Sequence, residues 1–308
     1  MSGSAVAERP QYRRLSVTPT SAAIGAQISC GDLRQIDADT FSELYRAWLD
    51  HCVVVIRGQT LDALELVTFS RRFGALDFSP TALKTGRHPP GAPEIIVVTN
   101  TVYNGVSPAG GLTNAEAFWH TDMSYVEEPP KASLLYSLEI PPVGGDTGFA
   151  NMYLALETLP GDLRETIQRL EIKHDASHNS AGILRPGRPP VTDVTVSPGP
   201  VHPICRTHPE SGRDALYLGR RGYAYIPGLS VESSEALLDR LWAHATRAEF
   251  TWHHQWKVGD LIIWDNRCAM HRRDPFDANT RRVMFRTQVN GDRPFNADVQ
   301  SPTRQKQG

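Results

Sequence analysis

The sequence predicts a mainly β protein with flanking α-helices, its strands forming a closed or two-sheet core. Three observations carry that expectation. The 24 glycines and 23 prolines are spread along all 308 residues, which suits strands joined by turns and long loops rather than a helix bundle. Two stretches alternate with period two: Ala132, Leu134, Tyr136, Leu138 and Ile140, then Phe250, Trp252, His254 and Trp256, the pattern of half-buried strands. Helical spacing is confined to a few segments, which leaves the helices to pack outside the β core. No composition break divides the chain, so a single domain is expected over 13–295, between disordered ends at 1–12 and 296–308.

Taken in order, short β pieces fall around Leu15–Val17 and Ala26–Ile28. Thr40-Phe41-Ser42-Glu43 has the form of a capping box, and Phe41, Leu44, Tyr45, Trp48 and Leu49 follow at helical spacing, so a helix is expected over 40–51. Val53–Ile56 reads as a buried strand. A second helix is expected over 61–73, stopped by Gly74. Residues 79–93 carry four prolines and two glycines and read as loop; 94–99 reads as a strand. The polar, Gly-rich segment 102–116 is a candidate lid or substrate loop. After the alternating strand over 130–140, Gly144-Gly145-Asp146-Thr147 turns into another strand. Short helices are expected over 153–159 and 161–170, a long excursion over 175–201, strands over 202–207 and 215–218, and a helix over 231–246. The last part is β again: 250–256, a buried strand over 261–264, and a final strand over 281–289. The Trp252/Trp256 stripe reads as core packing.

The bulk numbers exclude several classes. Net charge is −2, which gives no electrostatic reason to expect nucleic acid or an anionic membrane as partner. The longest apolar runs, such as Cys52–Ile56, are far too short to span a bilayer, and no secretory signal is read at the N-terminus. Cys30, Cys52, Cys205 and Cys268 are scattered without a C-x-x-C pair, so reduced thiols in a cytoplasmic protein are expected.

The stretch that carries chemistry is Trp119-His120-Thr121-Asp122. Read as extended chain, it sends His120 and Asp122 to one side. An imidazole and a carboxylate so placed can hold two positions on one metal ion, and a second His would complete the face that leaves open sites on Fe(II). His271, in Trp264-Asp265-Asn266-Arg267-Cys268-Ala269-Met270-His271, is the best third ligand because it follows a buried strand; His202, His208, His253 and His254 compete. Asp265 and Asn266 read as structural hydrogen-bonders near the metal, and Arg272 and Arg273 as solvated. Arg282 and Arg286 have even spacing, which on one strand points both to the same side about 13 Å apart. Two inward cations are costly unless each meets an anion, and the guanidinium fork suits a carboxylate or sulfonate.

Together, Trp119-His120-Thr121-Asp122, Gly144-Gly145-Asp146-Thr147, Trp264-Asp265-Asn266 to His271, and the Arg282/Arg286 pair resemble the taurine dioxygenase and 2,4-dichlorophenoxyacetate dioxygenase family over residues 20 to 295. That resemblance implies a double-stranded β-helix (jelly-roll) core and an enzyme that uses Fe(II), 2-oxoglutarate and O2. It implies that His120, Asp122 and His271 bind iron, and that Thr147 and Arg282 hold the distal carboxylate of 2-oxoglutarate. It further implies that Arg286 lies near the anionic co-substrate and the acidic group of the substrate, and that His88 and the Met123 amide are substrate contacts. Asp122 sets the chain apart from related iron halogenases, in which a small residue replaces the carboxylate. The reaction implied is hydroxylation of a small organic acid, with succinate and CO2 as co-products. The acid is an alkylsulfonate or sulfate ester, favoured by His88, or an aryloxyalkanoate, favoured by Gly148–Tyr153 and the C-terminal third. An amino-acid-derived acid in biosynthesis, or a non-catalytic jelly-roll that binds a small anion, are the other readings. A homodimer or tetramer is implied.

Overall fold

The structure is a computed structural model that describes residues 12–20, 23–78, 86, 88–105 and 117–300. In chain order these form β1 (Ser16–Pro19), β2 (Ala26–Ser29), α1 (Ala38–His51), β3 (Val53–Ile56), α2 (Ala63–Ser70), β4 (Ile96–Thr99), β5 (Ala117–His120), β6 (Ala132–Glu139) and β7 (Thr147–Asn151). There follow α3 (Met152–Glu157), α4 (Gly161–Ile167), β8 (Glu171–Lys173), β9 (Val201–Pro203), β10 (Cys205–Thr207), β11 (Asp214–Leu216) and α5 (Val231–Ala245). The chain closes with β12 (Thr251–His254), β13 (Leu261–Asp265), β14 (Ala269–Arg273), β15 (Val283–Val289) and α6 (Ala297–Gln300).

The strands build a seven-stranded sheet in the order β1-β2-β3-β13-β6-β15-β4 and a four-stranded sheet in the order β12-β7-β14-β5, with two small ribbons, β8-β9 and β10-β11. The large sheet is covered on both faces. On one, Val54, Ile56, Leu134, Tyr136, Ile263 and Phe285 pack with Trp48 of α1 and Phe69 of α2. On the other, Val53, Val55, Leu135, Ile262 and Trp264 share a core with Phe149 and Met270 of the small sheet. A buried indole such as Trp48, fully shielded from solvent, makes this packing worth about 3–5 kcal/mol on truncation to Ala.

Several elements depart from the sequence reading. α1 starts two residues earlier than expected, because the Asp37 carboxylate accepts from Thr40 N at 2.7 Å and caps the helix. Glu43 closes no capping box; it accepts from the backbone N–H groups of Arg13 and Arg14, a contact from thirty residues away. α2 is shorter than 61–73 and carries the capping box itself, Asp62 with Glu65, followed by a 3-10 turn over Arg71–Phe73. β6 is buried on both faces rather than half-buried, since Ser133, Leu135 and Ser137 face the inter-sheet space while Leu134 and Tyr136 face the helices. The final strand begins at Val283, just after Arg282.

Of the ends read as disordered, the structure describes only residue 12 and residues 296–300. Tyr12 donates its hydroxyl to Asp50 at 2.9 Å, and α6 forms where a tail was expected, anchored by Thr207 N on Phe295 O and by the Asn296 amide on Gln168 O. Residues 1–11 and 301–308, and most of the expected loops at 79–93 and 102–116, lie outside the described residues. None of the described helices is long and apolar enough to cross a membrane.

Candidate active site

Strand pairing assembles the site. β5 and β14 are antiparallel neighbours, and His120 lies directly opposite His271 in their register; the ring centroids are 4.2 Å apart. β5 ends at His120, so Asp122 sits in the following turn rather than on the strand, and the turn brings its carboxylate back to the same side. Its Oδ1 lies 3.8 Å from His120 Nε2 and 3.9 Å from His271 Nε2. The turn is fixed by Thr121 N donating to Gly219 O at 3.0 Å. Residue 219 is left-handed (φ +69), and a Cβ there would fall 2.0 Å from His174 Nδ1, so only glycine fits.

The three donors fit one cation. All three ligand atoms lie within 4.8 Å of one another, and donors about 2.1 Å from a common ion stand about 3–4 Å apart. The imidazoles hold no hydrogen bond to Asp122 at these distances. His120 Nδ1 is 2.7 Å from Phe118 O, which places the proton on Nδ1 and leaves the Nε2 lone pair facing the centre. Burial, reinforced for His120 by its His271 neighbour, lowers both histidines, His271 to about 4, so both are neutral near pH 7. Burial works to raise the Asp122 carboxyl, but Arg286 and the two imidazoles outweigh it and hold it below the usual carboxylate range.

Asp122 is also tied from behind. Ser133 Oγ donates to Oδ2 at 2.9 Å and Gln288 Nε2 at 3.2 Å. Asn266 Nδ2 donates to Ser133 Oγ at 3.0 Å, and Trp264 Nε1 to Asn266 Oδ1 at 2.8 Å. Oδ2 is thereby occupied and Oδ1 is presented to the histidines. Asn266 thus plays the supporting part expected of it, whereas Asp265 belongs elsewhere: it holds Arg267 and His208.

A cavity of about 190 Å³ opens over the triad, and Met123, Thr147, Arg282 and Arg286 all line it. Thr147 Oγ1 accepts from Trp256 Nε1 at 3.0 Å, so its own hydroxyl proton is free to donate to a ligand. The Trp256 half of the indole stripe is therefore more than packing. Burial and the adjacent Arg273 charge push Arg282 down to about 9; a guanidinium so placed is stabilised by any anion brought to it. Arg286 Nη1 lies 3.3 Å from Asp122 Oδ1. Met123 has a left-handed backbone (φ 48) at the mouth of the turn.

His88 is not among the residues lining this cavity; it is half-buried, with Nδ1 3.0 Å from Pro89 O. The competing histidines go elsewhere: His202 to Val126 O, His208 to Asp265, His253 to Asp274 and His254 to Asp260. Arg273, expected to be solvated, lines the cavity instead, because on β14 it shares a face with His271 two residues before it. Arg185, Arg220 and Tyr125 also line it, and the sequence reading named none of them. A larger, mostly apolar pocket of about 460 Å³ beside Trp119, Tyr223 and Trp242 contains none of the triad.

The taurine catabolism dioxygenase TauD, TfdA family matches residues 16–288. The chain is 30% identical over 281 residues to the (S)-phenoxypropionate/alpha-ketoglutarate-dioxygenase of Sphingobium herbicidovorans, covering 90% of this chain and 95% of the relative. It is 34% identical over 310 residues to the alpha-ketoglutarate-dependent sulfate ester dioxygenase of Pseudomonas putida, covering 97% of each. Among solved structures, AAD-2 in complex with Mn(II) and N-oxalylglycine superposes with a TM-score of 0.76 at 29% identity, over 91% of this chain and 98% of that one. The geometry of the triad and these matches agree: the chain belongs to the TauD, TfdA family and is an Fe(II)- and 2-oxoglutarate-dependent dioxygenase.

Proposed function

We propose that the chain hydroxylates a small organic acid, an aryloxyalkanoate or an alkyl sulfate. The observation that carries this reading is the wall of the cavity: among the described residues, arginines surround a centre whose one carboxylate is Asp122. Cations at that density in a desolvated site favour anionic ligands. The likeness to dioxygenases named for (S)-phenoxypropionate, 2,4-dichlorophenoxyacetate and sulfate esters supports the same two classes.

In this reading His120, Asp122 and His271 hold the iron, neutral imidazoles and an ionised carboxylate being the protonation states a divalent ion requires. Bound iron and 2-oxoglutarate supply the oxidising power of O2 to convert a C–H bond to C–OH, with succinate and CO2 released. Ser133 and Gln288 keep Oδ1 of Asp122 turned to the centre. Arg282 and the Thr147 hydroxyl take the distal carboxylate of 2-oxoglutarate. Arg286, already on Asp122, screens the charges of the two acids gathered there, and the Met123 amide is a further substrate donor. His88 is not used. We infer further that the two sheets form a double-stranded β-helix in one domain, and that the protein works in the cytoplasm as a homodimer or tetramer.

The test is anaerobic. Fe(II) and 2-oxoglutarate added to metal-free protein are expected to give the weak visible charge-transfer band of the chelated keto acid, and an Arg282→Met variant to need at least about tenfold more 2-oxoglutarate for it. Well-folded protein without the band would overturn the reading.

A further inference from the structure

We propose that Arg185 and Arg220 form a two-guanidinium receptor for the acidic head of the substrate, separate from the arginine that takes 2-oxoglutarate. The proposal rests on the reading above and names the part of the cavity where the substrate's acid is held.

The two side chains come from different loops, 178–188 and 217–223, and converge. Arg185 Nε and Arg220 Nη1 donate to the same acceptor, His178 O, at 3.1 and 2.9 Å. Both guanidinia also lie over one ring, Tyr125, at 4.3 and 4.8 Å from its centroid. Two like charges are thus brought to one carbonyl and one aromatic face. Among the described residues no carboxylate forms an ion pair with either. Asp175, whose charge reaches Arg220, is committed to its own loop: Oδ2 accepts from His178 N and faces His178 Nδ1, and Oδ1 accepts from Ser177 N. Arg220 Nε is buried without a hydrogen-bond partner. A carbonyl and a π-face offset only part of the cost of holding two cations together where one of them, Arg220, has its Nε buried.

The other cavity cations each have a neighbour. Arg286 meets Asp122, Arg273 lies 5.4 Å from the centroid of the Phe276 ring, and Arg282, just before β15, lies 5.9 Å from the centroid of the Trp256 ring. A group with two or three terminal oxygens can engage both guanidinia of the remaining pair at once. A carboxylate and a sulfate monoester share that chemistry. An uncharged isostere does not.

The experiment compares wild-type protein with Arg220→Met, Arg185→Met and Arg220→Lys, each loaded anaerobically with Fe(II) and 2-oxoglutarate. The visible band is read first, then its shift on titration with (S)-2-phenoxypropionate, hexyl sulfate, and the methyl ester of the former. The Met variants are expected to keep the band with 2-oxoglutarate affinity within about twofold of wild type, and to weaken the anion that shifts the wild-type band by at least about tenfold. The ester should bind wild type and Met variants equally, and Arg220→Lys should fall between, keeping charge but losing the fork. Which anion responds separates the carboxylate from the sulfate source. Unchanged anion affinity in both Met variants, or a wild-type band that neither anion shifts, overturns the proposal. A wild-type protein with no band at all instead overturns the iron and 2-oxoglutarate assignment beneath it. If Arg220→Met does not fold, Arg185→Met and Arg220→Lys carry the same comparison.

Discussion

Two buried clusters in this protein have nearly the same ingredients and opposite characters. One is His120, Asp122 and His271; the other is His208, Asp265 and Cys268. Around the Asp265 carboxylate the nitrogen donors are already at hydrogen-bonding distance: Arg267 Nε at 2.9 Å, Arg267 Nη2 at 2.7 Å, His208 Nε2 at 3.0 Å. Its lone pairs are filled by protein, and the cluster is a closed ion-pair network. Around Asp122 the imidazoles stand 3.8 and 3.9 Å off, too far to bond to it and close enough to share an ion with it. Donor type does not distinguish the two sites. The gap between donors does.

The sharpest way to break that comparison is to remove each carboxylate in turn. Asp122→Ala is expected to abolish turnover and to erase the rise in melting temperature that Fe(II) or Mn(II) gives the wild type, since stabilisation by a bound ion follows its affinity for the folded state. Retained metal-dependent stabilisation would show that the ion sits elsewhere. Asp265→Asn should do the reverse. It leaves Arg267 against a neutral amide with Glu210 as its remaining carboxylate partner, which costs about 3 kcal/mol of stability, the low end for breaking a buried pair, while the variant that folds still binds metal. Its pH signature is also distinct. Burial opposes ionisation of Asp265, but Arg267 and His208 win and hold its carboxyl low, so the stability it contributes is complete above the unfolded-state value of about 3.9 and is lost as pH falls below it. Acid unfolding of Asp265→Asn, followed by circular dichroism, should lack that increment. If both variants lose stability alike and neither loses metal, the distinction fails.

How much of this was legible beforehand follows from which forces fixed each part. His120 and Asp122 are neighbours in sequence, and Arg282 and Arg286 have even spacing, so local pattern exposes them even though β15 begins only at Val283. β14 does not read as a strand, because Ala-Met-His-Arg-Arg has neither a hydrophobic run nor a clean alternation; it is held by ladders to β5 and β7 on both sides. With β14 unseen, Arg273 could not be placed on the His271 face, although its spacing of two was the available signal. Arg185 and Arg220 lie in irregular segments and meet through Tyr125, some 60 and 95 residues earlier in the chain, a contact that no local pattern encodes. The same reason hid the partner of Glu43. Trp256 reads as packing because its indole body does pack; the partner of its N–H, Thr147, comes from the neighbouring strand β7.

The smallest expected effect tests whether Asp122 needs its outer partners. Ser133 donates to Oδ2 and accepts from Asn266, and Gln288 contacts both Ser133 and Asp122. Ser133→Ala removes the central member and leaves the Asn266 amide with a buried N–H to satisfy, at about 1–3 kcal/mol. Its effect on the metal is larger than its position suggests, because Oδ2 is what aims Oδ1. Gln288 still donates at 3.2 Å, so the loss of metal affinity should sit near the low end of the about 10–100-fold range for such supporting groups; adding Gln288→Met should move it toward the high end. Mn(II) titration followed by melting temperature measures both. Equal affinity in wild type, single and double variants would mean that the donors around Oδ2 hold the fold together, as those around Asp265 do, and that the triad's geometry comes from the β5–β14 register alone.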